Sequence, residues 1–433
     1  MRPSVKFFFI PVLLAALQAS QAFTQERKPL TLEECIDIAL KNHPSIRAVE
    51  SGVSVAGEQY LEAKSSYYPQ VSANGSYTRA EVKSQQTFVS GESETYSATL
   101  NLNQKIYDFG RTGGTVDAAK SRVVQRGGEL SRTRQDVLFN VKDAYFGVFK
   151  AMGLMKVQET SVAQAESHLR QAKGFYEAGA KAKFDVTNAE VVLNEANLSL
   201  IKARNAFKTS LALLKNRMGL EYNYPLEIDV ATVKVQADVN LEEGMSDALK
   251  KRPEIRSIDA ALSEAGASLT ASKGGYYPNL TASASYGYYD QYPLGEGDDL
   301  FQEKNQRWNA GVSVNVPIFE GFLTNAKVSG AKANIDSLNA QKVELSNNIT
   351  LEVTQAYLDL QDAEAMISVA ESGLNKAKEN LDIANGRYEA GVGTIIEVTD
   401  AQASYITAET DLVNARYDTA VARARFDRAV GVQ

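Results

Sequence analysis

Two hydrophobic periods take turns along this chain, and each block of them occurs twice. Period-two alternation runs through Val71, Ala73, Gly75 and Tyr77 and again through Tyr96, Ala98, Leu100 and Leu102, with Ser, Asn and Thr between them. It returns at Leu280, Ala282, Ala284, Tyr286 and Tyr288, and at Trp308, Ala310, Val312, Val314 and Val316. Such alternation over about ten residues predicts strands with one apolar and one polar face. They are assigned to 67–78, 95–107, 276–289 and 308–319, joined by long polar loops over Thr78–Thr95 and Tyr289–Arg307.

Between the strand blocks the period changes. Val137, Val141, Ala144, Val148, Ala151 and Met155 recur at spacings of 4-3-4-3-4, and so do Ile349, Val353, Ala356, Leu360, Ala363 and Ile367. This coiled-coil spacing places helices at 113–176 and 324–388, and about 64 residues at 1.5 Å each span roughly 95 Å. Return helices follow at 185–218 and 397–430, with Ala alternating with larger residues at Ala189, Leu193, Ala196 and Leu200 and at Ala401, Tyr405, Ala408 and Leu412. Shorter helices at 44–66 and 253–275 begin at Pro44 and Pro253, where a missing N–H costs nothing. Each is preceded by a short helix with an N-cap signature, Thr31-Leu32-Glu33-Glu34 and Asn240-Leu241-Glu242-Glu243. A 23-residue and a 34-residue helix stacked end to end would nearly match the long one in length.

The blocks superimpose by a shift of 209 residues up to the strands (Ala39-Leu40 on Ala248-Leu249, Tyr67-Tyr68-Pro69 on Tyr276-Tyr277-Pro278) and 212 beyond them (Tyr176-Glu177-Ala178-Gly179 on Tyr388-Glu389-Ala390-Gly391). A unit of roughly 190 residues is therefore present twice, as 30–219 and 241–431, too long for a solenoid repeat. Residues 220–240 form an extended linker containing Val230, Val233 and Val235. Residues 1–22 read as an export leader: Arg2 and Lys6, the apolar stretch Phe7–Leu17, and Ser20-Gln21-Ala22.

Composition narrows the function. The net charge of −7 argues against a nucleic-acid partner. No later window is apolar enough for a membrane helix. Cys35 stands alone and reads as an apolar helix residue. His43 and His168 do not repeat and make no metal-ligand pattern with Cys35. Gly174-x4-Gly179 and Gly386-x4-Gly391 follow helices and lack the Lys-Ser/Thr of a phosphate loop, so they read as turn glycines. No enzyme constellation, cofactor site or metal site is expected.

Four amphipathic strands cannot close a barrel, and an open edge is forbidden in lipid because its backbone groups have no water to bind. Two chains supply eight strands around a filled interior, and three supply twelve around a lumen. The same symmetry gathers the long helices into a tube. A non-conducting, periplasm-spanning structural or adhesive coiled-coil protein is the alternative. It leaves unexplained the apolar strand faces with Tyr and Trp near their ends, which look like an aromatic girdle.

The chain resembles the TolC family of outer-membrane efflux proteins. The resemblance is carried by Ala39–Pro44 and Ala248–Pro253, both Tyr-Tyr-Pro runs, Ile106-Tyr107-Asp108 and Pro317-Ile318-Phe319-Glu320-Gly321. The turn motifs Tyr176–Gly179 with Phe184-Asp185-Val186 and Tyr388–Gly391 with Ile396-Glu397-Val398 complete it. It covers residues 30–431. It implies a mainly α fold with β: a homotrimer with a 12-stranded β-barrel in outer-membrane lipid of a Gram-negative bacterium, continuous with a 12-helix α-barrel in the periplasm. It also implies a passive exit duct for efflux or type I secretion, served by a periplasmic adaptor and an inner-membrane transporter.

The region expected to carry function is the helical tip. Asp185 with Asn188, and Glu397 with Asp400, lie three apart on one helix face. Three-fold symmetry makes each carboxylate a ring that attracts cations and raises some of its own pKa values. Acids at a solvated helix start, favoured by the helix dipole, are the plainer alternative. By resemblance Glu397 and Asp400 occupy the acidic positions of a periplasmic constriction, with Glu397 standing where Asp is more usual. By resemblance too, Tyr388 hydrogen-bonds to Asp185 and holds the end shut. The arginine that often strengthens this latch is replaced by Gly393, which implies a weaker hold. Gly179, Ala180 and Lys181, through Lys183, and Gly391, Val392, Gly393 and Thr394 would meet the adaptor, with Lys181 and Lys183 departing from a more apolar tip.

Overall fold

The computed structural model describes residues 29–83, 90–229, 239–293 and 301–432. The expected leader, and Val230, Val233 and Val235 of the linker, lie outside these residues. The elements in chain order are α1 (Leu32–Asn42), α2 (Pro44–Ser65), β1 (Gln70–Lys83), β2 (Ser90–Tyr107), α3 (Arg111–Glu177), α4 (Lys183–Arg217), α5 (Leu241–Lys251), α6 (Pro253–Lys273), β3 (Asn279–Pro293), β4 (Gln306–Asn315), α7 (Leu323–Glu389) and α8 (Ile395–Val430).

The strands form one antiparallel sheet in the order β1-β2-β3-β4. The register sets Val71 opposite Leu102 and Ala73 opposite Leu100. It sets Leu100 opposite Tyr286 and Leu102 opposite Ala284, then Tyr286 opposite Trp308 and Ala282 opposite Val312. Because cross-strand partners point to the same side, the apolar sets of all four strands share one face. That face is bare in the single chain: Val71 is 67% exposed, Trp308 74% and Val312 66%.

The strand bounds differ from the alternation. β1 runs on to Lys83, β2 starts at Ser90 and β3 reaches Pro293, all inside the segments expected to be loops. Backbone pairing needs no apolar face, so the ladder continues where hydropathy falls silent. At the other end β1 starts at Gln70, β3 at Asn279, and β4 stops at Asn315 rather than 319. Pro69, Pro278 and Pro317 bracket these limits because proline cannot donate to a ladder.

α3 and α7 have 67 residues each, about 100 Å of helix. α3 carries α2 on its sheet-proximal half, where Arg134 pairs with Glu50 at 2.7 Å. It carries α4 on the distal half, where Arg204 pairs with Glu159 at 3.7 Å. Its other flank takes α6 and α8 of the second repeat. Gly114 permits this closeness: a Cβ there would stand 2.6 Å from Ala267 O and from Ala271 N.

The seam of α3 buries Val137, Val141, Ala144 and Val148, but Ala151 and Met155 are only half-buried, as is Ile367 in α7. At Gly153 the side chain of Val413 of α8 presses close, and the buried row resumes at Val157, Ser161 and Ala165. A third helix thus interrupts a two-helix pattern.

One core joins Cys35, Ala39 and Ile46 to Val141, Val148, Leu214 and Met218. Its counterpart joins Ala248 to Ile349, Val353, Leu360 and Phe426. The repeats trade volume: Phe426 stands where the first copy has Leu214, and its ring reaches the place a Cβ of Gly244, the mate of Cys35, would occupy. Thr31 and Glu34 close a reciprocal capping box, whereas Asn240 caps α5 on its own. Leu30 bridges to Ile228, tying the start of the linker to the chain's first described residues.

Candidate functional site

Both long helices end in the same local structure. Gly179 at φ 72° and Gly391 at φ 77° take the left-handed conformation that reverses the chain at little cost. Ala180 N–H donates to Phe175 O at 2.8 Å, and Val392 N–H to Arg387 O at 3.1 Å, closing equivalent turns. Beyond the turns the copies diverge. Thr394 caps α8 and forms a reciprocal box with Glu397, while Ala182 leaves α4 without a side-chain cap.

The two tips of one chain meet around Tyr388. Its ring is 1% exposed, packed among Leu381, Ala384, Ile395, Val398 and Ala401, with Phe175 of the first repeat edge-on at 5.7 Å. Its hydroxyl donates to Asp185 Oδ2 at 3.2 Å. Burial first, then the Asp185 charge, pushes this phenol up to about 12. Tyr176, the repeat mate of Tyr388, is 47% exposed. The paired aromatic position is therefore filled differently in the two copies.

Glu397 does not behave as a free acidic side chain. Arg387 donates to its Oε2 from Nε at 3.1 Å, and Thr394 N–H donates to Oε1 at 3.4 Å. The Arg387 hydrogen bond first, with help from Thr394, holds the carboxyl below its ordinary range. This pairing is a property of the single chain, whereas the expected repulsion belongs to a ring of three. Asp400 is exposed one turn further along α8, and Asn188 is half-buried at the corresponding place on α4.

Two residues at this site were not singled out as partners by the sequence. Arg387 directly precedes Tyr388, and only the turn brings it onto Glu397. Lys181, expected among the adaptor-facing residues, is half-buried, and its Nζ donates to Gly393 O at 3.1 Å. The same ammonium lies 4.9 Å from the centroid of the Tyr388 ring. Gly393 is buried, and a Cβ there would stand 2.9 Å from Tyr388 N and 3.0 Å from the Arg387 carbonyl carbon. A side chain at 393, arginine included, would require this turn backbone to shift. Lys183, Ala180, Val392 and Thr394 are exposed at the tips.

Elsewhere, His43 is structural in setting. His43 caps α2, its Nδ1 accepting from Ser45 N–H at 3.3 Å. Among the described residues no three potential metal ligands converge, and no helix is long and apolar enough to cross a membrane.

A protein-family profile described as "Outer membrane efflux protein" matches residues 35–220 and 244–432, which are the two repeats. The chain is similar to the outer membrane efflux protein BepC of Brucella suis, 25% identical over 371 residues that cover 85% of this chain and 78% of the relative. It is also similar to the outer membrane protein TolC of Escherichia coli, 22% identical over 397 residues, 90% of this chain and 79% of the relative. A solved membrane protein from Pseudomonas aeruginosa superimposes with a TM-score of 0.83 at 21% identity, over 92% of this chain and 90% of that one. With both repeats matched, this chain belongs to the outer membrane efflux protein family.

Proposed function

We propose that this protein is the passive outer-membrane exit duct of a tripartite efflux pump or type I secretion system, working as a homotrimer and opening at its helical tip. The observation that carries this reading is the four-stranded sheet with two unpaired outer edges, β1 and β4, and one bare apolar face, set at the end of two 67-residue helices. In lipid those edges must pair with other chains, and three chains supply about twelve strands, enough for a lumen.

The helices support cyclic closure. α3 is flanked by its own α2 and α4 and by α6 and α8 of the other repeat, whereas α7 packs along its own α6 and α8. On α7, Leu351, Leu358, Met366, Val369 and Ile383 stay exposed, and on α4 so do Val191, Leu198 and Ile201. Repeat symmetry makes α2 and α4 of a neighbouring chain the equivalents that would cover α7. A contact between unlike surfaces of this kind closes into a ring when its rotation divides a full turn.

In this reading the paired tips are the gate, with Tyr388 and Asp185 joining the hairpins of one chain. Glu397, Asp400, Asp185 and Asn188 line the constriction, and the exposed tip residues meet a periplasmic adaptor that links the duct to an inner-membrane transporter. A duct of small polar strand residues reads little of its cargo, so selection belongs to the transporter.

The test is single-channel recording of the detergent-extracted protein in a planar bilayer, paired with its migration as a heat-resistant trimer. Discrete, cation-preferring steps from a trimer are expected. A folded oligomer that never conducts would favour the structural, non-conducting alternative.

A further inference from the structure

We propose that the polar face of the sheet carries an anion-binding section, formed by the Arg307 guanidinium and, nearer the helices, the Lys105 ammonium, and that its ligands are multivalent organic anions bearing phosphates or carboxylates. The inference rests on the duct reading, in which this face lines the lumen. It gives the lumen of the barrel a sign opposite to that of the acidic tip.

The sheet sorts its charges by face. Arg79 stands opposite Glu94, and Asp290 opposite Tyr96, so that these charges and Glu81 continue the apolar side of the strands. Glu94 accepts there from the hydroxyls of Tyr77 and Tyr96 at 3.1 and 3.2 Å, and Asp290 accepts from Asn305. On the polar side the charged residues of the described strand segments are Lys105 and Arg307, both cations and both exposed. Among the described strand residues no carboxylate shares that side.

The register gives the two cations their heights. Arg307 pairs with Gly287, which pairs with Thr99, and Lys105 pairs with Thr281. Six residues from Thr99 to Lys105 set the two levels about 20 Å apart along the wall. Salt at 0.1 M screens charge beyond about 10 Å, so each level acts by itself. The acids of the tip, at the far end of helices about 100 Å long, cancel neither.

Arg307 is the better-built of the two. Its guanidinium carbon lies 4.6 Å from the centroid of the Tyr289 ring on the same face. Stacking fixes the plane of the fork and consumes none of its N–H donors. No described carboxylate pairs with it. Its cross-strand partner Gly287 has no side chain to cover it. A phosphate or carboxylate can therefore take the fork with two parallel hydrogen bonds. A homotrimer repeats the group three times around the lumen, which favours an anion with several such groups over chloride.

The test uses the full chain in planar bilayers in 0.1 M potassium chloride, with inositol hexakisphosphate added to one side and then the other. Wild-type current should fall at about tenfold lower concentration from the strand side than from the side of the acidic tip. Arg307→Gln should raise the concentration needed by about tenfold and Arg307→Lys by less, because lysine keeps the charge and loses the fork. Lys105→Gln tests the second level independently and should also weaken the block. Heat-resistant migration reports whether each variant assembles.

Conducting Arg307→Gln and Lys105→Gln channels as sensitive as wild type overturn the anion section and leave the duct standing, as does a wild-type channel indifferent to the polyanion. If no protein conducts, the duct reading falls. The site is then decided by calorimetric titration of inositol hexakisphosphate into the detergent-extracted protein. A tenfold weaker affinity in Arg307→Gln supports it, and equal affinities overturn it.

Discussion

Tyr388 and Asp185 lie 203 residues apart and meet at 3.2 Å, the phenol of one repeat donating to the carboxylate of the other. The ring is buried and the carboxylate half-buried, so the bond joins an apolar core to the rim of the tip. Tyr388→Phe keeps the packing and removes the bond. We expect about 1 kcal/mol less hold between the hairpins, seen as more frequent opening in bilayer recordings with little change in melting temperature. Equal opening frequencies would remove the bond from the gate.

Alkali should act on the same residue. A phenol whose folded value is raised from 10.0 to about 12 is kept neutral by the fold. Its contribution is complete below pH 10 and is lost as pH rises through about 12, because the separated hairpins release the proton first. Channel opening should rise across that window in wild type and stay flat in Tyr388→Phe. Parallel curves for the two proteins would show that another group titrates.

The acids of the second tip should divide the work unequally. Arg387 sits 3.1 Å from Glu397 and offsets its charge, whereas Asp400 is exposed. Asp400→Ala is therefore expected to lower cation preference, measured as a reversal potential in a salt gradient, more than Glu397→Ala does. The double variant should lose both the preference and the blockage by multivalent cations. Selectivity unchanged in the double variant would sink the constriction assignment.

Thr394 tests the start of α8 separately from the pore. Thr394→Ala deletes an N-cap whose hydroxyl accepts from Glu397 N–H at 3.3 Å, and leaves the Thr394 N–H bond to the Glu397 side chain as the remaining half of the box. A loss of about 1 kcal/mol in stability is expected, read by chemical denaturation of the helical signal. Thr394→Ser should restore it.

The contact between repeats on the sheet-proximal helices depends on Gly114. A methyl group there would enter the backbone of α6 at Ala267 and Ala271. Gly114→Ala should force α3 and α6 apart at a cost of about 2 kcal/mol, lowering the melting temperature. Gly127→Ala, also inside α3 but with nothing within 4 Å, should instead raise the melting temperature slightly, since Ala favours a helix over Gly by up to about 1 kcal/mol.

Much of the fold was legible in particular residues. The alternation at Val71–Tyr77 and Leu280–Tyr288 marked strands, and the register later put all the apolar members on one face. The seam of Val137, Val141, Ala144 and Val148 marked the long helix. The strand ends beyond Thr78 were not legible, because two polar strands in water are held by backbone bonds that leave no hydropathy trace. At the tip, the Tyr388–Asp185 contact came from family resemblance, while the partners of Glu397 and Lys181 had no signal of either kind.

The sequence alone determined that the molecule has two equivalent halves, amphipathic strands, very long helices and glycine-bearing tips. Each follows from local periodicity, or from a backbone angle only glycine takes easily. Only the tertiary structure decided that Lys181 lands on Gly393, that Arg387 offsets Glu397, and that Tyr388 is buried while Tyr176 is exposed. Periodicity states which face of an element is apolar. It does not state which neighbour that face meets, nor where a long charged side chain ends once two hairpins from opposite halves of the chain have packed side by side.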